Sequence, residues 1–119
     1  MRKLVWVKAD WDIPWERKLE YIRKAIEHGA DAVVVKGEEV APALGIGPVQ
    51  IVSPEDRPGV SVVLVRFTDP VSTEARIRDL KATGRRVAVS VEISDKRTEQ
   101  FAARVGSIAD FVLVTAKSW

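Results

Sequence analysis

The sequence predicts an α/β fold of six mainly parallel strands and four helices, in the order βαβαβ followed by βαβαβ. Two observations carry this prediction. Short Val-rich apolar runs recur along the chain, and segments with helical spacing separate most of them. The runs are nearly continuous in Val, Leu and Ile, which is typical of parallel strands covered on both faces. The sheet is therefore expected to be part of a (βα)-barrel or an open, doubly wound, flavodoxin-like sheet.

The six predicted strands are short and are bounded by Gly, Pro or charged residues. They cover residues 4–7, 32–35, 49–52, 60–67, 87–93 and 111–114. The link between the third and fourth strands, 53–59, is shorter than the roughly dozen residues of an ordinary parallel crossover. Either these two strands pair antiparallel, or the chain crosses between them by an extended loop without a helix.

The first predicted helix has a clear apolar face. Four residues share that face at helical spacing: Trp15, Leu19, Ile22 and Ile26. The charged residues of the segment, Lys18 among them, are expected to lie mostly on the other faces. Asp12 is the predicted N-cap, with Pro14 in the first turn, and Gly29 is the predicted C-cap.

The other three predicted helices combine a start signal with a closing residue. They run over 38–44, 69–84 and 94–106. Asp69 followed by Pro70 opens the longest of them, and Ser94 or Asp95 caps the last. In the shortest, Pro42 must sit in the first turn or kink the helix.

The chain is predicted to form a single α/β domain over residues 1–119, with a pseudo-repeat boundary near 54–59. Two segments, 29–36 and 106–117, carry the repeat. Each leaves a helix, passes through Ala-Asp and enters a Val-rich strand. Convergent chemistry of short αβ loops explains the likeness more simply than duplication.

Composition is that of a soluble globular protein with a packed core, since 46% of the residues are hydrophobic and 30% are charged. The absence of Cys excludes disulfides, thiolate metal sites and cysteine catalysis. One histidine, His28, is too few for a histidine-rich metal site, so no metal is predicted. The chain also lacks Asn, and its only Met is the first residue, a usage that resembles that of heat-adapted proteins.

The charge balance argues against a polyanionic partner. The 19 Lys and Arg against 17 Asp and Glu leave a net charge of +2, whereas nucleic-acid binders usually carry a lopsided balance or a basic stripe. No apolar run approaches the ~18 residues that span a bilayer, and the first residues are too quickly polar for a secretory signal. The expected setting is the cytoplasm, without a nucleic-acid or membrane partner.

Polar residues at the carboxyl ends of the predicted strands form the candidate site, because ligands of parallel α/β folds bind at that edge. They are Lys8, Asp10, Lys36, Ser53, Arg66, Asp69, Glu92, Thr115 and Lys117. This set would suit a small anionic metabolite, and a desolvated lysine in it could form a Schiff base with a ketone. The alternative is that strands end at the solvent-exposed surface, so that polar residues occur there whatever the function.

Several stretches together resemble the amino-terminal part of archaeal 3-dehydroquinate synthase II. They are Leu4–Asp10 with Trp15–Lys18, then Gly29–Val35, and finally Glu99–Ala102 continuing to Gly106, Ala109–Val114 and Lys117–Trp119. The last stretch is the most specific. The likeness covers this chain almost end to end, but it accounts for only about one third of the family's length.

The resemblance implies NAD-dependent oxidative deamination and cyclisation of an amino-dideoxy-heptulosonate, giving 3-dehydroquinate in the shikimate route. Alone, the chain is predicted to be inactive and to need a carboxyl-terminal part of the same enzyme or a homodimer partner. The resemblance, together with strand-end position, makes four residues candidates for catalysis, with a lysine as imine former or general base: Lys8, Asp10, Lys36 and Lys117. Arg66 and Glu92 are the candidates for substrate binding, and no residue is assigned to NAD.

A second interpretation from a different functional class stays open at this point. The chain would then be a non-catalytic module, natural or engineered, whose role is folding, assembly or the binding of a small anion. Formation of NADH by the purified chain would separate the two interpretations.

Overall fold

The computed structural model describes residues 5–47 and 49–116. The chain divides into two compact units, 1–61 and 62–119. The described residues form six strands and four α-helices, which confirms the predicted α/β class. None of these helices is both long and apolar enough to cross a membrane.

The first unit contains a three-stranded parallel sheet. In chain order its elements are β1 (Trp6–Lys8), α1 (Trp15–Glu27), β2 (Ala32–Val34), a 3₁₀ turn (Gly37–Glu39), α2 (Val40–Ala43) and β3 (Gln50–Ser53). Lys8 at the end of β1 lies in register with Val34, which in turn lies in register with Val52. The core is made of fully or almost fully buried apolar residues from the helices and strands: Ile22, Val33, Val35, Val40, Ile51 and Val52.

The second unit contains another three-stranded parallel sheet. Its elements are β4 (Val62–Arg66), α3 (Pro70–Ala82), β5 (Arg86–Ile93), α4 (Lys96–Gly106) and β6 (Phe111–Ala116). Ile77 and Leu80 on α3 and Val105 on α4 are buried, as is the Val-rich interior of the strands. The apolar run of β4 is therefore buried on both faces, as is most of the run of β5, whereas Val114 of β6 is 54% exposed.

In each unit the strands lie side by side in chain order, β1-β2-β3 and β4-β5-β6. Parallel βαβ crossovers are right-handed almost without exception, so successive crossovers without a reversal of strand order put their helices on the same face. A doubly wound sheet reverses its strand order at one point. Within each unit the winding is thus that of the barrel-like alternative.

The N-caps of α3 and α4 form as predicted. The carboxylate of Asp69 accepts the backbone N–H of Ser72 at 2.9 Å, with Pro70 at the first helical position. Asp95, the second of the two predicted alternatives, accepts the N–H of Thr98 at 2.8 Å. Each carboxylate satisfies a donor that the first helical turn leaves without a partner.

The start of α1 differs from the prediction. Pro14 occupies the N-cap position and no side chain caps the helix, so the assignment of Asp12 as N-cap is wrong. Asp12 instead forms an ion pair with Lys36. At the other end His28 is the C-cap, and Gly29 follows with φ +95°, a left-handed conformation that glycine adopts without strain.

An aspartate clamp explains the repeated Ala-Asp sequence. Asp31 donates its N–H to the carbonyl of Val5 at 2.7 Å, and its carboxylate accepts the N–H of Val5 at 2.8 Å. Asp110 makes the same two bonds to Val87, at 2.9 and 2.8 Å. Each aspartate precedes a strand and forms two hydrogen bonds to the start of the neighbouring strand. The same local geometry therefore accounts for the repeated Ala-Asp sequence.

The cap of α3 makes stability depend on pH. The hydrogen bond from the Ser72 N–H lowers the pKa of Asp69 below its ordinary value. A group with a lowered pKa stabilises the folded chain above its unfolded pKa, and this contribution is lost as the pH falls through the folded value. Asp69→Asn keeps a capping oxygen that does not titrate. We expect this variant to lose less stability than the parent below about pH 4.

Urea unfolding at neutral pH and at about pH 3 measures this difference. Asp79→Asn is the matched control, because Asp79 is an exposed carboxylate on the same helix. Its acid-induced loss should equal that of the parent. A loss in Asp69→Asn as large as in the parent would show that the cap carboxylate does not contribute to the acid dependence.

Candidate functional site

The carboxyl ends of β1, β2 and β3 bring the predicted residues of the first unit to one edge. Lys8 is the last residue of β1, and Asp10 follows it by two positions. Lys36 follows the end of β2 by two positions, and Ser53 is the last residue of β3. Backbone bonds continue the ladder past the strands, from the Ala9 N–H to the Val34 carbonyl at 2.8 Å. Strand-end reasoning therefore places these residues on the same edge.

Lys36 and Asp12 form an ion pair at this edge. Lys36 is half-buried, and the carboxylate of Asp12 is almost fully exposed. The hydrogen bond to Asp12 raises the pKa of Lys36 despite the opposing effect of burial, and the charges of Glu38 and Glu39 add to the rise. The hydrogen bond from Lys36, with its charge and that of Lys18, lowers the pKa of Asp12. Lys36 is therefore held as a cation.

A second lysine, Lys18 on α1, lies on the buried face of its helix and not on an exposed face as predicted. Lys18 on α1 is fully buried, with a relative exposure of 0%, so the prediction that the charged residues of α1 lie away from the core fails for it. Its Nζ donates to both carboxylate oxygens of Glu39, at 2.9 and 2.8 Å. Glu39, in the 3₁₀ turn after β2, is itself 8% exposed. The core of the first unit thus contains a complete ion pair.

The spacing of α1 contained a signal for Lys18. Position 18 lies three residues after Trp15 and four before Ile22, so it shares their helix face. A lysine inside an apolar stripe needs an acidic partner to be buried. Glu38 and Glu39, directly after the second apolar strand, were available as that partner, but their spacing alone does not tell which of them turns inward.

The end of β3 adds a further carboxylate. The backbone N–H of Glu55 donates to the hydroxyl of Ser53 at 3.2 Å, and the Glu55 carboxylate accepts from Arg57. That carboxylate also lies against the backbone of Gly37, where a Cβ would stand 2.2 Å from the Glu55 Cδ. Gly37 therefore lets the turn after β2 approach the loop after β3.

The second unit places Arg66 and Glu92 on one face of its sheet. Arg66 ends β4 and lies in register with Ser90 of β5. Glu92 is two residues further along β5, in register with Thr115 of β6. Side chains two apart on a strand share a face, and those in register across parallel strands do too. Asp69 is taken up by the cap of α3, and Lys117 lies outside the described residues.

The N-termini of α1, α3 and α4 do not fit the pyrophosphate of NAD, the cofactor implied by the resemblance. A dinucleotide is usually held by a glycine-rich turn and the free N–H groups of the following helix. Asp69 and Asp95 occupy those N–H groups in α3 and α4, and α1 follows a turn containing Asp12 and no glycine. Within residues 5–47 and 49–116, no cluster of three or more His, Asp or Glu residues could hold a metal ion.

Comparison with known proteins identifies a family over nearly the whole chain. A sequence model of the 3-dehydroquinate synthase II N-terminal domain matches residues 2–119. The 3-dehydroquinate synthase of Methanosarcina barkeri is 34% identical over 133 aligned positions, which cover 99% of this chain and 35% of that protein. The 3-dehydroquinate synthases of Methanocella arvoryzae and Methanococcoides burtonii are 32% and 31% identical, with 34% and 35% of their lengths covered. The chain thus spans about a third of the length of these relatives.

Proposed function

Because this chain belongs to the 3-dehydroquinate synthase II family, we propose that it supplies part of the substrate-binding edge of a 3-dehydroquinate synthase. The reaction is the NAD-dependent oxidative deamination and cyclisation of an amino-dideoxy-heptulosonate. The observation that carries the proposal is the ion pair of Lys36 with Asp12 at the edge that also holds Lys8 and Asp10. By itself the chain binds this class of ligand without completing the reaction.

Lys36 is the proposed site for the carboxylate of the substrate. Its ammonium is held charged by Asp12, which suits it to bind an anion and not to act as an amine nucleophile. Asp12 is exposed and Lys36 is half-buried, so an incoming carboxylate can reach the ammonium from solvent. A substrate carboxylate that binds here takes the place of the exposed Asp12 carboxylate. It accepts a charge-assisted hydrogen bond from the Lys36 ammonium.

Lys8 then takes the proposed role of imine former or general base among the described lysines of this edge, with Lys117 as the candidate outside the described residues. Lys8 is exposed at the end of β1. In imine formation its amine adds to the ketone carbon of the substrate and a water molecule leaves. Asp10, two residues on, is the proposed acceptor of the proton that the Lys8 ammonium gives up before its amine adds. It returns this proton to the carbinolamine, whose oxygen leaves as water while the lysine is bonded to carbon as the iminium.

Arg66 and Glu92 are the proposed substrate-binding residues of the second unit. A guanidinium binds carboxylate or hydroxyl oxygens through several N–H groups in a fixed geometry. A carboxylate accepts from hydroxyl or ammonium groups, both of which the amino sugar acid carries. In the structure the two residues lie on one face of the sheet formed by β4 and β5.

NAD is proposed to bind to the part of the family's length that this chain does not span. The blocked helix N-termini of the described residues support this division. NAD accepts the hydride of the oxidative step, so a chain that does not hold it forms no NADH. The proposed inactivity of the chain follows from this separation of substrate and cofactor binding.

Two measurements on the purified chain test the function. Incubation with NAD and the amino-dideoxy-heptulosonate is expected to give no NADH absorbance. Calorimetric titration with 3-dehydroquinate, which carries the product carboxylate, is expected to show binding that Lys36→Met weakens about tenfold, the loss of one hydrogen bond to a charged group. Lys24→Met is the matched control, because Lys24 is an exposed lysine of α1 near its C-terminus.

NADH formation by the chain alone would overturn its inactivity and its lack of a cofactor site. An equal effect of Lys36→Met and Lys24→Met on binding would show that any binding depends on net charge and not on this edge. Absence of binding in the parent chain would remove the proposed substrate edge altogether.

A further inference from the structure

The buried Lys18 does not contact ligand, because no atom of it is reached by solvent. Its relative exposure is 0%, and its ammonium is bonded to both oxygens of Glu39. The side chain enters the core from the first turn of α1 and ends at the turn after β2. Any effect of Lys18 on the edge must therefore pass through Glu39.

Glu39 connects this buried pair to Lys36 through the backbone. One carboxylate oxygen, Oε1, accepts the N–H of Lys36 at 3.0 Å while it also accepts from Lys18 at 2.9 Å. The N–H of Glu39 donates back to the carbonyl of Lys36 at 3.0 Å. Two reciprocal bonds thus fix the main chain of Lys36 relative to a carboxylate that is itself anchored to α1.

The side chain of Lys36 connects these bonds to Asp12. Lys36 extends from the fixed main chain to the carboxylate of Asp12, and Asp12 lies six residues before Lys18 on the segment that leads into α1. The turn after β2 is thereby joined to α1 by the buried pair and to the loop before α1 by the pair of Lys36 with Asp12. A shift of α1 against the turn would disturb both.

We infer that Lys18 and Glu39 are positioning residues, whose buried ion pair sets where Lys36 stands at the strand-end edge and holds it beside Asp12. The inference rests on the proposed function, in which Lys36 binds the substrate carboxylate. Stability alone does not account for such a pair, because buried ion pairs are often no more stabilising than apolar residues of the same volume. A positional role gives a reason for a charged pair where Leu or Met would fill the core.

The decisive variant replaces both partners, Lys18→Met with Glu39→Met. It removes one positive and one negative charge together, and its apolar pair keeps the core filled. It also removes the acceptor of the Lys36 N–H. Because the charge of Glu39 itself raises the pKa of Lys36 and that of Lys18 lowers the pKa of Asp12, the charge-matched control is Lys18→Met with Glu39→Gln, whose amide oxygen can still accept the Lys36 N–H. The titration of the Lys36 side chain and of the Asp12 carboxylate is followed by NMR in the parent and in the variant, with Lys24→Met as control.

Loss of position is expected to lower the pKa of Lys36 and to raise that of Asp12 in the folded double variant, since both depend first on their mutual hydrogen bond. Binding of 3-dehydroquinate should weaken about fivefold, the loss expected for a hydrogen bond whose geometry is no longer held. Lys24→Met should change neither titration. The charge-matched variant Lys18→Met with Glu39→Gln should leave the pKa values of Lys36 and Asp12 closer to those of the parent than the double Met variant does, because it keeps the acceptor of the Lys36 N–H.

Equal titration of Lys36 and of Asp12 in the two folded double variants would overturn the inference, because they lose the same charges and differ in the acceptor of the Lys36 N–H. These titrations do not depend on catalysis. If the parent chain fails to bind 3-dehydroquinate while the titrations shift as expected, the proposed function is overturned and the positioning of Lys36 by Glu39 stands.

Discussion

Lys18→Met is expected to lower the free energy of unfolding by about 3–5 kcal/mol, the cost of leaving one member of a buried ion pair without its partner. Lys18 is fully buried, and Glu39 is almost fully so. Removal of the ammonium leaves a carboxylate in the core whose remaining side-chain bond is to the N–H of Lys36. Few single changes in this chain should be as costly, because the methionine fills the volume while the charge stays uncompensated.

Urea unfolding followed by circular dichroism and tryptophan fluorescence measures the loss. Trp11 and Trp15 both lie in the first unit, and Trp15 lies one turn before Lys18 on α1. The double variant Lys18→Met with Glu39→Met is the matched control, and it should recover most of the stability because no charge is left without a partner. If the double variant is as unstable as the single one, the cost comes from packing and not from the isolated carboxylate.

Ile77→Ala is expected to cost about 2–5 kcal/mol, because it removes three buried carbon atoms from a core that only partly collapses around the gap. Ile77 is fully buried on α3, where it lies one turn after the buried Thr73 and one turn before Leu80. The loss should appear as a lower urea midpoint with an unchanged slope, since the surface exposed on unfolding hardly changes.

Two controls grade the effect of Ile77. Ile77→Val removes a single methyl group and should cost about 0.5–1.5 kcal/mol. Val71→Ala is made on the same helix at a side chain that is 79% exposed, and it should change stability by less than about 0.5 kcal/mol. A loss in Val71→Ala comparable to that in Ile77→Ala would show that burial of the side chain does not decide the cost, because alanine is the better helix former at both positions.

The element types could be predicted because each rests on local chemistry. Val-rich runs identified all six strands, and Asp69 with Pro70 located the start of α3 to the residue. The order of the strands could not be predicted in this way, because it is set by contacts between segments that are distant in sequence. The start of α1 was misassigned because Asp12 satisfies a lysine from another loop instead of the helix N-terminus.

The candidate site shows the same limit. Position at the strand ends placed Lys8, Asp10 and Lys36 on one edge, because parallel strands end together. The role of Lys18 could not be read in the same way, since residue type argued for the surface and helical spacing argued for the core. Burial of a charge depends on whether a partner stands opposite, and the partner Glu39 is 21 residues away in the sequence.

The aspartate clamp has a consequence for the opposite edge of the first unit. If β1 slipped by one residue against β2, every side chain of β1 would turn to the other face of the sheet. Ala9 would then take the place of Lys8, and the proposed substrate edge would lose its lysine. Asp31 guards against this slippage, because both of its bonds to Val5 break when the strands move by one residue. The carboxylate of Asp31, at the opposite end of the strands, thus fixes the register that keeps Lys8 at the proposed substrate edge.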